Sequence, residues 1–209
     1  MKYCLLIILL CSSILAHSQL NKYETGLTSA TEFFYRMQSK EEHELAFNKF
    51  ELLSNAYPNE WLPPYYAAIV KARMSILKLG DRDAIADEAI SWVARAKKIQ
   101  INDEILCAES LANSAKMSIS PMRRWLSYES RIQQPLKAAK KINPNNPRIY
   151  ILEATILHHL PGLFGGGCKG ALPIAKKAEK LLEEQGSNRG NLPRWGQKSV
   201  KDILKSCTY

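Results

Sequence analysis

Apolar residues recur along the chain at helical spacing, in Leu45, Phe50 and Leu53, in Tyr65, Ile69, Ala72 and Ile76, in Ile85, Ala89, Trp92, Val93 and Ala96, and in Leu172, Ala175, Ala178 and Leu182. Each series predicts an amphipathic helix with one buried face. No alternating strand pattern of useful length interrupts them. Between the helices lie Pro58-Asn59, Pro63-Pro64, Gly80-Asp81, Asn102-Asp103, Pro121, Asn143 to Pro147, the glycines 165 to 167, and Gly186 to Pro193. These residues end helices or cap them. Asn146 followed by Pro147 predicts a helix start, since asparagine caps free amides and proline loses no hydrogen bond in the first turn. The short links predict antiparallel helix hairpins.

A displacement of 43 residues brings three segments into register. Ala46, Ala89 and Ile132 coincide, as do Phe50, Val93 and Leu136, Leu53, Ala96 and Ala139, and Pro58, Ile101 and Pro144. The match runs into the next helix as Tyr65, Ala108 and Ile151, and as Ala68, Leu111 and Ala154. A repeat of this kind predicts units that bury their apolar face only by stacking on neighbours.

The spacing Ala46, Phe50, Leu53, Pro58, echoed by Ala89, Val93 and Ala96, resembles the second helix of a tetratricopeptide (TPR) repeat. The period departs from the family, whose units are about 34 residues long. The blocks Glu60 to Ala68, Asn146-Pro147-Arg148, Phe164 to Ala171 and Pro193 to Gly196 together resemble an exported TPR-like family of Bacteroidetes-type bacteria. A weaker likeness, at the Gly-rich turn alone, is to periplasmic TPR proteins associated with TRAP transporters. The expected fold is therefore all-α, a short right-handed TPR-like α-solenoid of about four antiparallel hairpins closed by a helix after Trp195.

Composition adds the compartment. Lys2, the apolar run from Cys4 to Leu15 and the small-residue pattern Ala16-His17-Ser18 read as a signal peptide cleaved near Ser18. Residues 1–18 are then the leader and 19–209 the TPR-like repeat domain, periplasmic or secreted, with no transmembrane span in the mature chain. In an oxidising space Cys107, Cys168 and Cys207 are left. Cys107 falls in a buried stripe. Cys168 opens one predicted helix and Cys207 ends the next, so an antiparallel return would bring them within reach of a disulfide, a pairing that spacing alone leaves open.

The chain is 46% apolar and 23% charged, a globular balance, with formal net charge +9. The cations fall in small clusters, among them Arg123-Arg124, Lys140-Lys141 and Lys176-Lys177. Helix ends account for part of them, and no nucleic-acid partner is expected. Trp125, Tyr128 and Arg131 form an aromatic and basic face suited to an extended peptide or glycan, with packing between repeats as the plainer role.

No catalytic constellation is present. Gly165, Gly167 and Gly170 satisfy the G-x-G-x-x-G expression, but a helix and not a strand precedes them. His158 and His159 are adjacent and would point about 100° apart on a helix. The expected protein is thus not an enzyme, needs no cofactor and no metal, and binds another envelope protein or peptide segment on an inner surface that includes Tyr65 and Tyr66. The alternative is a small-ligand or transport-accessory protein with an anion site at Gly165, Gly166, Gly167 and Lys169, where glycine amides open a helix beside a lysine.

Overall fold

A computed structural model describes residues 21–186 and 188–208; the proposed leader lies outside them. The described residues are helical throughout, with no strand among them. Helix α1 covers residues 21–36. It is followed by α2 (Lys40–Ala56), α3 (Leu62–Ile76), α4 (Arg82–Ile99), α5 (Asp103–Met117), α6 (Pro121–Ile142), α7 (Pro147–His159), a 3-10 turn (Gly162–Phe164), α8 (Gly167–Gln185) and α9 (Gln197–Cys207).

Side-chain caps fix where several helices begin. Ser39 accepts from the amide of Glu42 while Glu42 accepts from the amide of Ser39, a reciprocal capping box. Asp81, Asn102 and Asn146 cap α4, α5 and α7. Asn146 has a second partner. Its Oδ1 accepts from the Arg148 amide at 2.9 Å and its Nδ2 donates to Asp103 at 2.8 Å, joining the starts of α7 and α5. Asn146→Ala should lower the unfolding free energy by about 1–2 kcal/mol, measured by urea denaturation, because both the cap and a buried donor are lost.

The helices pack as hairpins α3–α4, α5–α6 and α7–α8, with α2 on α3 and α4 on α5. α3, α5 and α7 run side by side, so one face of the array consists of first helices and the other of second helices. The architecture is all-α and solenoid-like. The 43-residue register is its physical basis: Ala46, Ala89 and Ile132 are buried at equivalent places in α2, α4 and α6, as are Tyr65, Ala108 and Ile151 in α3, α5 and α7. Small residues let neighbouring helices approach, and Phe50, Val93 and Leu136 fill the space between. Leu45 and Ile76, at helical spacing in the sequence, face solvent instead; in α2 the buried stripe is His43, Ala46, Phe50 and Ser54.

One apolar cluster spans α1 to α5 and a second spans α5 to α9. Trp195 packs against both. No helix among the described residues is long and apolar enough to cross a membrane.

Candidate functional site

The first-helix face is not open. Residues 189–196, between α8 and α9, lie across it as a strap that reaches from α7 to α1. Tyr66 donates to the Asn191 carbonyl at 2.8 Å, and Tyr35 accepts from the Arg194 amide at 2.8 Å. The Asn191 side chain accepts from Thr31 at 2.9 Å and donates to Thr28 at 3.1 Å. The Arg194 guanidinium sits 4.6 Å above the Tyr35 ring. At the far end Gly196 has φ +110°, and a Cβ there would stand 2.3 Å from Cδ1 of Ile151, so only glycine fits the crossing of α7 without displacement.

Beneath the strap a charged network is closed off from water. Trp195 Nε1 donates to Tyr65 at 2.7 Å, and Tyr65 donates to Glu104 at 3.3 Å. Nε of Arg148, whose side chain is wholly buried, lies 2.8 Å from Glu104 Oε1, and Arg189 stands 3.8 Å from the same oxygen. Burial pushes the Glu104 carboxyl upward, and the Arg148 guanidinium opposes that shift. Burial also drives the Tyr65 and Tyr66 phenols far up, which keeps both as hydrogen-bond donors. This corrects the expected inner surface: Tyr65 and Tyr66 are core residues under residues 189–196, with nothing of their rings left for a partner.

The opposite side of α5 carries a groove. α5 forms its floor, and α4 and α6 its walls. Two adjoining hollows of about 230 and 480 Å³ share Ile90, Lys97, Glu109 and Asn113. Val93, Ala94 and Ala112 extend the apolar lining on one side, and Leu106, Pro135 and Ala138 on the other. Lys97 is paired with Glu109 at 2.7 Å. Arg131 has no carboxylate partner among the described residues and sits 5.4 Å from the Tyr128 ring, which places part of the basic and aromatic face read from the sequence at this groove. Pro135 lies inside α6 and cannot donate to the carbonyl of Arg131 one turn earlier, which leaves that carbonyl without its helical partner. The start of α4 is tied to the end of α5 and the start of α6 by Asp83, bonded to Arg124 at 2.7 Å and to Lys116 at 2.8 Å, which together hold its carboxyl far below the ordinary range.

The array is similar to a haemophore. HusA haemophore from Porphyromonas gingivalis superposes with a TM-score of 0.79 at 26% identity, over 88% of this chain and 92% of HusA. No protein-family model and no curated protein matches the chain.

The Gly-rich turn, aside from the groove, is shaped by close backbone approach. Gly165 and Gly167 have φ of 79° and 68°, and a Cβ on Gly166 or Gly170 would stand 2.1 or 2.2 Å from the carbonyl oxygens of Leu160 and Gly165. The amides of Gly165 and Gly166 donate to Gly162 and Pro161, so these two donors are spent within the turn. Lys169 is exposed at the start of α8. Leu163 and Phe164 are exposed in the same turn.

Cys168 and Cys207 form a disulfide that fastens the start of α8 to the end of α9. Cys107 is buried, and its thiol is pushed up by burial. His158, on α7, comes within 3.7 Å of Cys207 Sγ. Three separate helices supply this cluster, so no spacing in the sequence announces it. The groove residues Ile90, Glu109 and Pro135 were equally hidden, although a proline within a helical stretch is the kind of signal that marks a carbonyl without its helical partner.

Proposed function

We propose that the protein is a non-catalytic, exported binding protein whose ligand is a flat, mostly apolar molecule bearing carboxylates, of the haem and porphyrin class, held in the groove between α4, α5 and α6. The observation that carries this reading is the likeness to the HusA haemophore over nearly the whole of both chains. The groove supports it chemically. Its lining mixes apolar side chains, Ile90, Val93, Leu106, Ala112, Pro135 and Ala138, with polar ones, and among these the Arg131 guanidinium is free to meet a carboxylate. Among the described residues no histidine, methionine, cysteine or tyrosine lines it, so the ring and its carboxylates, not the iron, provide the hold.

Titration of the protein with haem and with the iron-free porphyrin, followed by the change in visible absorption, tests the reading. Both should bind with similar affinity. Ala94→Trp, at an exposed position on the rim, should abolish binding with an unchanged helical circular dichroism spectrum. Arg131→Ala should weaken it about fivefold, the worth of roughly 1 kcal/mol for an exposed charge pair. Full binding by Ala94→Trp removes the groove as the site, and strong preference for the iron form points to a ligating side chain elsewhere.

A second reading is a TPR-like scaffold that holds a segment of another envelope protein. It is favoured by one observation: the first-helix face does grip a non-helical segment, the protein's own residues 189–196. A partner would have to displace that strap, so this reading requires that binding expose Trp195 to water.

A further inference from the structure

The end of the array farthest from α1 brings together three ligating atoms: Nδ1 of His158 from α7, Sγ of Cys168 from α8 and Sγ of Cys207 from α9. All lie within 4.8 Å of one another, and each residue is half-buried. We propose that reduction of the Cys168–Cys207 disulfide unmasks a Cys2His site for zinc or a similar thiophilic divalent cation, so that a metal replaces the covalent bond as the fastener of α9.

The geometry is close to what such a site requires. With metal–sulfur bonds of about 2.3 Å and a metal–nitrogen bond of about 2.0 Å, tetrahedral ligation places nitrogen and sulfur about 3.5 Å apart and two sulfurs about 3.8 Å apart. The His158–Cys207 distance is already 3.7 Å. Only the two sulfurs must part, and that is what reduction permits. Their Cα atoms, 5.1 Å apart, sit on the termini of two helices, where rotation about the side-chain bonds suffices. His158 has its Nδ1 turned toward the sulfurs, the orientation a ligand needs. The half-buried setting leaves a fourth position for water. Two thiolates and an imidazole select zinc, cobalt or cadmium over magnesium or calcium.

The electrons balance through a dithiol reductant. It gives two electrons and two protons to the disulfide, becoming a disulfide itself, and leaves Cys168 and Cys207 as thiols. The cation then displaces both thiol protons to solvent. While the disulfide is intact neither sulfur is a thiolate, and the site is closed to metal.

The test uses protein treated with dithiothreitol, desalted without air and titrated with Co2+. The expected result is one equivalent bound, with a sulfur-to-cobalt charge-transfer band and the intense visible bands of tetrahedral cobalt, and no such spectrum from the oxidised protein. Removing an outer partner of a metal ligand weakens binding roughly 10–100-fold. His158→Ala removes a ligand itself and should weaken it at least as much; Cys168→Ser keeps one thiolate and should weaken binding likewise, with a diminished charge-transfer band. A second measurement guards against loss of fold on reduction: Zn2+ should raise the Tm of the reduced protein and leave that of the oxidised protein unchanged. Equal binding by reduced wild type and Cys168→Ser, an unaltered affinity in His158→Ala, or a reduced protein unfolded both with and without Zn2+ overturns the proposal.

Discussion

Glu104→Gln should lower the unfolding free energy by about 3–5 kcal/mol, the usual effect of removing one partner from a buried ion pair. The substitution keeps the shape of the side chain, and Tyr65 retains an oxygen to donate to. What changes is charge. Arg148 is wholly buried and has Glu104 as its nearest carboxylate at 2.8 Å. Its other bond is to the neutral Gln185 at 3.0 Å, which cannot balance a cation in an apolar setting. The double variant Glu104→Gln with Arg148→Met removes both charges and should lose much less than the sum of the two single changes. Urea unfolding of the four proteins gives the coupling directly; additive losses would show that the pair is not the source of the effect.

Trp195→Ala should cost about 3 kcal/mol, near the lower end for a large aromatic side chain because the ring is only partly enclosed. Two apolar clusters lose their common neighbour, and Tyr65 loses the indole donor at 2.7 Å. The local consequence is as large as the global one. Residues 189–194 lose their fixed end beside α7, so limited proteolysis should cut there first, and Tyr65 and Tyr66 should become accessible to a collisional quencher. Trp195→Phe separates the two contributions. It keeps most of the ring and loses only the hydrogen bond, so it should cost about 1 kcal/mol and leave the strap resistant to protease. Equal cleavage of Trp195→Ala and wild type would show that the strap is held by its hydrogen bonds to α1 and not by the indole.

Helix positions, caps and repeat register are local properties, and they were legible. The 43-residue displacement picked out Ala46, Ala89, Phe50, Val93 and Leu136 as buried. Asn146 and Pro147 do start a helix, and Cys168 and Cys207 stand at the start and end of two successive helices, near enough to bond. What was not legible arises from contacts distant along the chain. Tyr65 and Tyr66 read as an aromatic surface because α3 alone would expose them; the strap that covers them comes from a stretch of glycine, proline and asparagine that reads only as punctuation. The groove was hidden for the same reason, since its floor and walls belong to three helices whose outer residues are ordinary by pattern. A buried arginine such as Arg148 goes against the general preference of charged residues for water, and only a partner from another helix makes it tolerable.

The Thr31–Asn191 hydrogen bond, between residues 160 positions apart, changes how the order of assembly must be viewed. A repeat array can settle one unit at a time as its chain is made. Here α1 to α8 exist before the strap does, and until residues 189–196 arrive the Tyr65 and Tyr66 rings face water and Glu104 lacks Arg189 and the enclosure above it. The enclosure of Tyr65, Tyr66 and Glu104 is therefore not a property of any one hairpin but of two stretches far apart along the chain.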